Sequence, residues 1–313
     1  MQHRHQHGWG AVDDDESVGA VRRAVELGLI YGLVAFGVYL SFRVLNFPDL
    51  TVDGSFPLGA AVVATAVTHG MDAWLGSALA VLAGALAGLV TALLNVRFRI
   101  LHLLASILTM IALYSIILRV MGRPNLALLT ETTILTPLDA LPVSPLYTRP
   151  LFLAVIAAAV LLLLIRFLRS ELGLAMRATG ANARMAEAQG IPVGAMTCLG
   201  IALSNGLVAL AGALFAQANG FADVTLGTGT IVVGLAAVII GETVVPQRSI
   251  AAALLGCLAG SLIYRLVVAL ALEADFLGLQ ASDLNLITAI LVGAALVLPA
   301  TRAKLLARLA PGR

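Results

Sequence analysis

The sequence predicts an all-α, polytopic membrane protein with about nine transmembrane segments, two of them short or broken, and an inverted internal repeat. Three observations support this fold class. Apolar residues occupy 60% of the 313 positions and charged residues only 12%, whereas a soluble domain carries about 25% charged residues. The apolar residues are grouped in long runs, and motifs of the first half recur in the second. A soluble enzyme is therefore excluded.

Nine apolar runs follow one another along the chain. A helix needs about 20 mostly apolar residues to cross a bilayer, and seven of the runs are long enough. The two short runs, 56–68 and 230–241, each follow a polar segment that contains glycine, which is typical of a helix broken inside the membrane. The runs lie at about 24–42, 56–68, 74–96, 100–121, 150–168, 193–218, 230–241, 250–272 and 284–300.

Domain boundaries follow the composition. A polar tail with four consecutive acidic residues precedes the first apolar run, and a basic tail follows the last. Arginine-rich loops face the cytoplasm, so the N-terminus is predicted outside the cytoplasmic (inner) membrane and the C-terminus inside. The predicted units are the tail 1–23, the transmembrane domain 24–301 with repeat halves of about 24–168 and 193–300, the cytoplasmic loop 169–192 and the tail 302–313.

A long segment at 122–149 lies outside the membrane in this topology. It contains four prolines, and proline stiffens a loop. The segment either presents a docking surface or only connects two helices, and both interpretations stay open.

Three motifs recur in the two halves. Gly-Leu-Val-Ala occurs twice, and Phe-x-Asp-x-Thr occurs at 47–51 and 221–225, both at an offset of 174 residues. A glycine motif at 84–88 recurs, slipped by two, at 256–260. Five spans separate the copies, so the second copy enters the membrane upside down, which is the inverted-repeat plan of many transporters.

The segment 46–55 is the most polar stretch within the early membrane region. Its proline and glycine oppose a continuous helix, and non-helical backbone at membrane depth is tolerated only where protein or water satisfies its polar groups. We therefore predict that this segment and its repeat line a solute pathway. The alternative is a surface turn that caps the next helix. The predicted pathway residues are Asn46, Asp49, Thr51, Asp53, Ser55, Asp223 and Thr225.

Arg265 lies inside the eighth apolar run, on the outer side of its middle. A charge at that depth costs a few kcal/mol unless it is paired or hydrated. Arg265 either attracts an anionic group of a solute or of an interface, or extends outward toward Glu273 or Asp275. We favour the second interpretation.

The cytoplasmic segment 171–191 is rich in alanine. Residues 182–189 are predicted to form a short helix, with a capping candidate before it and Gly190 after it. A helix of that length is not stable alone in water, so it needs a partner surface.

Two stretches resemble a known family. The pattern Leu-Gly-x-Ala-x-Arg-Ala-x-Gly-x-Asn at 172–182, followed by an alanine-rich turn that ends in Gly-Ile, is similar to the cytoplasmic loop of ATP-binding-cassette importer permeases of the branched-chain amino acid and ribose type. The string 46–56 resembles the broken second helix of the same superfamily. One branch carries Asn-Phe-Pro-Asp-Leu-Thr-Val-Asp-Gly-Ser-Phe nearly as it stands here, with a Gly-Leu-Ala-Ala-Val-Ile-Ile-Gly-Glu run matched at 234–242.

This resemblance covers about 24–300 and implies a permease subunit, working as a homodimer with a second permease copy. It implies a separate ATPase subunit and a periplasmic or lipid-anchored binding protein that delivers a small polar solute. Members of the branch are often linked to amino-acid uptake, including aromatic amino acids. The short helix would be the coupling helix that docks on the ATPase, with Asn182, Arg184, Glu187 and Gly190 as coupling residues.

Several activities are excluded by what the sequence lacks. A P-loop requires Gly-x-x-x-x-Gly-Lys-Ser/Thr, and the single lysine, Lys304, follows an alanine, so ATP hydrolysis is expected on another chain. Hydrolase motifs are absent, and so is the basic stripe that binds nucleic acid. No catalytic residue, metal site or cofactor is expected.

Two other functions remain as alternatives. The first is an ion-coupled secondary transporter, which could use inverted repeats with Asp49 and Asp223 inside the membrane. The second is a membrane scaffold, which would transport no solute. The alanine-rich segment 171–191 favours the importer, because a secondary transporter needs no helix that docks on an ATPase.

Overall fold

The computed structural model describes residues 9–139 and 145–273, together with Ile290 and Gly293. The predicted all-helical class is confirmed, and the described part of the chain adds only two short strands. The helices are α1 (Trp9–Val38) with a π-helical continuation (Tyr39–Val44), α2 (Val52–Thr68), α3 (Ala73–Val96), α4 (His102–Met121), α5 (Thr136–Asp139), α6 (Pro145–Arg169), α7 (Glu171–Ala181), α8 (Ala183–Ala188), α9 (Val193–Asn219), α10 (Thr230–Val244) and α11 (Ile250–Glu273). The strands are β1 (Asn125–Ala127) and β2 (Phe221–Asp223).

Six helices within the described residues are long and apolar enough to cross a membrane. The two segments predicted to be too short are α2 and α10, with 17 and 15 residues. These eight helices correspond to the first eight predicted segments. The ninth, at 284–300, lies outside the described residues apart from Ile290 and Gly293.

The first helix begins earlier than the sequence suggested. The polar tail was expected to extend to residue 23, but α1 is helical from Trp9, and the part that is long and apolar enough to cross a membrane begins at Gly19. A helix that is already formed extends without a new nucleation step.

The segment 122–149 contains more regular structure than its prolines suggested. Strand β1 pairs antiparallel with β2, with Leu126 opposite Ala222. Helix α5 follows, and Pro145 is the first residue of α6, a position where the missing N–H of proline is not needed. The β1–β2 pair therefore ties this loop to the segment that leads into α10.

Glycines allow the closest helix contacts. A Cβ at Gly84 would lie 2.5 Å from the carbonyl oxygen of Asn205 in α9, and a Cβ at Gly260 would lie 2.0 Å from that of Ala237 in α10. Both glycines belong to the glycine motif that recurs in the two halves, and small residues at such spacing let helices approach closely. The contacts place α3 against α9 and α10 against α11.

Helix α1 and its continuation lie in the interior of the bundle. In their most apolar window, 78% of the residues are buried, and the largest buried cluster includes Phe36, Leu40 and Phe47. Helices α6, α9, α10 and α11 pack around α1. Apart from the exposed Asn46, the polar segment at 46–51 therefore continues from α1 within the protein rather than at its surface.

Candidate functional site

Asp49 lies in the interior, although it carries a carboxylate. Its side chain is fully buried, and Oδ1 accepts a hydrogen bond from the backbone N–H of Thr51 at 2.9 Å. The Thr51 hydroxyl lies 2.8 Å from that of Thr91 in α3. Asp49 thus closes a local turn that starts α2, while Thr51 links this turn to α3.

Asn205 joins this turn to α9. Its Nδ2 donates to Asp49 Oδ2 at 2.6 Å, and its Oδ1 accepts from the Ser55 hydroxyl at 2.7 Å. The residue is fully buried. Sequence reasoning missed Asn205, and the available signal was an amide in the middle of a long apolar run.

Asp53 connects the two short helices. Its Oδ1 accepts a hydrogen bond from the backbone N–H of Ile231 at 2.7 Å. Asp53 is in the first turn of α2 and Ile231 in the first turn of α10, whose own cap residue, Gly229, supplies no side chain. The first turns of both helices therefore meet, and the carboxylate of one caps the other.

The contact between these first turns is close. A Cβ at Gly227 would lie 1.7 Å from the backbone oxygen of Asp53 and 2.7 Å from Pro57 Cδ. Only glycine fits at this position without displacing α2. The segment before α10 is consequently packed directly on the broken end of α2.

A cavity of about 450 Å³ opens beside this junction. It lies between α2, α4 and the 224–228 segment, and four of its eleven lining residues have polar side chains. Its volume falls in the range of about 300–1,000 Å³ found for small-molecule sites. The lining includes Asp53, Met110, Ile111, Tyr114, Ser115 and Thr228.

Asp223 repeats the local geometry of Asp49 in a different place. Its Oδ1 accepts from the backbone N–H of Thr225 at 2.7 Å, and its Oδ2 from Asn125 Nδ2 at 3.1 Å. Burial alone would raise the pKa of Asp223, but the hydrogen bonds from Thr225 and Asn125 outweigh it and lower the pKa. The carboxylate therefore stays ionised and holds β2 to β1.

The predicted pathway residues do not form one cluster. Asp49 and Asp223, expected to flank one path, lie on different segments and have no hydrogen-bond partner in common among the described residues. Asn46 is exposed beyond the π-helical turn, with a φ of 54° that asparagine tolerates. Of the predicted set, only Asp53 lines the cavity.

Arg265 points toward α1. Its guanidinium carbon lies 3.9 Å from the centroid of the Tyr31 ring, and its Nε is buried with no hydrogen-bond partner among the described residues. The favoured outward extension placed Arg265 near Glu273 or Asp275, whose side chains lie outside the described part. Within that part, the observed partner is an aromatic face, which attracts a cation electrostatically.

Helices α7 and α8 lie at the end of the bundle where α6 ends and α9 begins. Helix α8 is capped by Asn182, whose Oδ1 accepts from the Met185 N–H at 3.1 Å, and Gly190 follows with a φ of 83°. Every residue of α8 except Ala186 is exposed. Arg184 and Glu187 are therefore free to meet a partner surface.

Helix α7 connects α8 to the core, and the sequence did not reveal it as a separate helix. A Cβ at Gly180 would lie 1.8 Å from the backbone oxygen of Val44 in the π-helical turn. In that same turn, Arg43 forms an ion pair with Glu242 near the end of α10. Helix α7 thus touches the turn that is linked to one of the two short helices.

The sequence matches a known family over most of its length. The model of the family described as "Branched-chain amino acid transport system / permease component" covers residues 22–300. This match includes all the predicted transmembrane segments.

Two relatives match nearly from end to end. A tyrosine transport system permease protein of Clostridioides difficile is 38% identical over 264 residues, covering 84% of this chain and 86% of the relative. An uncharacterized protein of Rickettsia prowazekii is 35% identical over 273 residues, covering 86% and 94%. An autoinducer 2 import system permease protein of Enterobacter is 30% identical over 223 residues, covering 69% and 63%.

One solved structure has a similar fold. PsaBC from Streptococcus pneumoniae in complex with Fab aligns with a TM-score of 0.51 over 88% of this chain and 89% of that chain, at 18% identity. At that identity the likeness concerns the fold alone.

Proposed function

Because this chain belongs to the family of branched-chain amino acid transport system permease components, we propose that it translocates an amino acid as the membrane-spanning subunit of an ATP-binding-cassette importer. The carrying observation is the contact of Asp53 with the first turn of α10. Discontinuous helices whose N-termini meet inside a bundle are typical of solute sites in transporters. Family membership also favours the importer over the ion-coupled transporter and the scaffold.

The solute class is supported by a relative. The Clostridioides difficile protein carries the name of a tyrosine transporter, and the cavity beside Asp53 has the volume of a small-molecule site. An amino acid supplies both an ammonium group for a carboxylate and a side chain for apolar walls. We assign Thr51, Ser55 and Asp49 to the support of this site, because they anchor the start of α2.

The second copy of the repeat supports an inverted arrangement. Asp49 and Asp223 each accept a hydrogen bond from the N–H of the threonine two residues later. Each turn leads into one of the short helices, and these helices meet at their first turns. This arrangement agrees with nine spans of the cytoplasmic membrane, with the N-terminus on the outer side and the C-terminus in the cytoplasm.

The ATPase partner is assigned to α8. A six-residue helix cannot persist alone, and here it is exposed at one end of the bundle. Docking there would move α7, which packs on the π-helical turn beside Gly180. The remaining partners are a second permease copy and a solute-binding protein on the opposite side of the membrane.

Co-expression tests this assignment. The full chain is produced with the ATPase and binding protein from neighbouring genes, purified in detergent and reconstituted. We expect a stable complex whose ATP hydrolysis drives uptake of an amino acid, whereas the permease alone hydrolyses no ATP. Purification of the permease free of ATPase, with no ATP-dependent uptake, would contradict the proposal.

A further inference from the structure

A second cavity, of about 380 Å³, lies at the end of the bundle opposite to α8. Three helices line it, each at one end of its membrane-crossing part: α1 and α6 near their starts, and α9 at its last residues. Helix α8 lies at the other end, after α6 ends and before α9 begins. The second cavity therefore faces away from the surface assigned to the ATPase, and it shares no lining residue with the cavity beside Asp53.

Positive charge is the main feature of the second cavity. Arg22, Arg23 and Arg149 line it together with one acidic residue, Glu26. Glu26 is 8% exposed, and its Oε1 forms an ion pair with Nε of Arg22 at 2.9 Å. One carboxylate against three guanidinium groups leaves two positive charges in excess on the lining. The ligand that fits such a lining is an anion.

The depth of the arginines in the membrane narrows the choice of anion. The apolar span of α1 begins at Gly19 and has 26 residues, which measure about 39 Å at the α-helical rise. The hydrocarbon core of a bilayer is about 30 Å thick, so an upright helix of this length extends about 4–5 Å into the headgroup layer at each end. Arg22 and Arg23 follow Gly19 by about one turn. They therefore lie at the boundary between hydrocarbon and headgroups.

Exposed apolar side chains lie on the same helices beside the arginines. On α6, Tyr147, Leu151 and Val155 follow one another at intervals of about one turn, and all three are exposed, as is Val21 on α1. Tyrosine is enriched at membrane interfaces, and aliphatic side chains beyond it face the acyl chains of the lipids. A ligand with an anionic head and apolar chains thus finds a surface for each of its parts.

A lipid phosphate reaches the arginines more easily than a protein does. An acidic side chain of a soluble partner would have to enter the headgroup layer to contact Arg22, whereas the phosphates of the bilayer are already at that level. Arginine binds phosphate through two parallel N–H···O hydrogen bonds. A guanidinium group has five N–H donors, so the ion pair between Arg22 Nε and Glu26 uses only part of its capacity.

We propose that the second cavity binds the headgroup phosphate of an anionic phospholipid such as phosphatidylglycerol, with Arg22, Arg23 and Arg149 around the phosphate and the acyl chains along the exposed side of α6. A zwitterionic lipid carries the same phosphate but adds a cation, which the excess of arginines repels. The bound lipid joins α1, α6 and α9 at the end of the bundle away from α8. This site requires only that the helices cross a membrane, and it does not depend on the solute.

Lipid binding by the purified permease tests the site. The full-length chain is delipidated in detergent, and native mass spectrometry measures the binding of phosphatidylglycerol and of phosphatidylcholine with identical acyl chains. We expect phosphatidylglycerol to bind roughly tenfold more tightly, because its phosphate forms charge-assisted hydrogen bonds without a neighbouring cation. Equal binding of the two lipids to the wild-type chain would overturn the proposal.

Substitution of two arginines locates the lipid. Arg23→Gln with Arg149→Gln is expected to weaken phosphatidylglycerol binding roughly tenfold and to leave phosphatidylcholine binding unchanged, because the charge-assisted hydrogen bonds to the phosphate are lost. Arg22 is kept, since its removal would leave the buried Glu26 without its ion pair. Arg23→Gln alone, at an exposed residue, is expected to cost roughly threefold and serves if the double variant unfolds at a lower temperature than the wild type.

The matched control removes the same charge outside the cavity. Arg119→Gln with Arg123→Gln changes two exposed arginines at the end of α4, and neither lines the second cavity. They lie at the same end of the bundle, because β1, which follows them, pairs with β2, which follows α9. We expect the control to bind phosphatidylglycerol as the wild type does. Equal losses in the control and in the cavity variants would mean that the lipid responds only to total charge, and would overturn the proposal.

Two further measurements distinguish the lipid from other anions. Glycerol 3-phosphate and inorganic phosphate, added as competitors, are expected not to displace phosphatidylglycerol, because they lack the acyl chains that contact α6. Displacement by either one would assign the cavity to a free phosphate instead. The affinity for the solute-binding protein is measured with the same variants and should stay at the wild-type value. Weaker binding of that protein with unchanged lipid binding would assign the arginines to a protein partner and overturn the proposal.

Discussion

The carboxylate of Asp53 accepts a hydrogen bond from the backbone N–H of Ile231, 178 residues further along the chain. This bond joins the two short helices, each of which begins inside the bundle. A helix start leaves four N–H groups without partners in the helix, and α10 has no side-chain cap of its own. The two halves of the protein therefore depend on each other at this point.

Asp53→Ala is expected to destabilise the fold, because it removes the cap of α10. The loss should be about 0.5–2 kcal/mol, the usual effect of deleting an N-cap side chain, and Asp53→Asn should lose less. Thermal unfolding in one detergent measures both variants. Equal stability of Asp53→Ala and wild type would show that the bond does not hold the helices together.

Asn205→Leu is expected to cost more than Asn219→Leu. Asn205 bonds both Asp49 and Ser55 in the interior, so its removal leaves two buried groups unsatisfied, at about 1–3 kcal/mol each. Asn219 is exposed, and among the described residues its side chain bonds the Phe215 carbonyl oxygen, four residues earlier. Unfolding midpoints of the two variants provide the comparison, and similar losses would contradict a central role of Asn205.

The contact between β1 and β2 is expected to weaken in acid. The pKa of Asp223 is lowered, because the bonds from Thr225 and Asn125 outweigh burial. A lowered pKa means that stabilisation is present above the ordinary value of about 3.9 and is lost as the pH falls through the folded-state value. Hydrogen exchange of the Ala222 backbone N–H should therefore stay slow until the pH falls to the range in which Asp223 becomes protonated.

Asp223→Asn removes this titration. Its exchange at 222 is expected to be faster than in wild type at neutral pH and to show no step in acid beyond the intrinsic pH dependence of exchange. A step of unchanged size in Asp223→Asn would assign the transition to another group.

The sequence predicted the helices better than the contacts between them. Run length alone identified α2 and α10 as too short, and their polar leaders marked the breaks. The partner of each side chain depends on how distant segments pack, however. Asn205 is marked only as an amide in an apolar run, and the sequence around it and around Ile231 does not indicate which residues they contact. Asp49 and Asp223 illustrate this limit of sequence-based prediction. The shared motif forms the same local turn at both positions, but the turns contact different residues.

Charge reversal tests the proposed role of α8 as the helix that docks on the ATPase. Arg184→Glu or Glu187→Lys is expected to lower uptake by about tenfold or more while the unfolding midpoint stays unchanged, because both side chains are exposed and a like-charge contact at an interface costs several kcal/mol. Uptake and ATP hydrolysis are measured in parallel in proteoliposomes. Arg123→Glu, an exposed arginine just after α4, is the matched control. Wild-type uptake in both variants would remove the assignment of α8.

Arg265 and Tyr31 are expected to be energetically coupled. The guanidinium carbon lies 3.9 Å from the Tyr31 ring but 6.0 Å from the Tyr264 ring, and a cation over an aromatic face contributes about 0.5–2 kcal/mol. In a double-mutant cycle of unfolding free energies, Arg265→Gln with Tyr31→Leu should give a coupling in this range. The cycle with Tyr264→Leu should give clearly less.

The same variants distinguish two roles of Arg265, one in packing against Tyr31 and one in binding the solute, when the KM for uptake is also measured. If Arg265 attracts the anionic group of the solute, Arg265→Gln raises the KM for uptake in the wild-type background and also in Tyr31→Leu. The contact with the solute would then be separate from the contact with the Tyr31 ring. If Arg265 only packs on Tyr31, the KM stays at the wild-type value in Arg265→Gln, and only the unfolding midpoint changes. Arg119→Gln serves as the control, because Arg119 is an exposed arginine in α4 and should alter neither quantity.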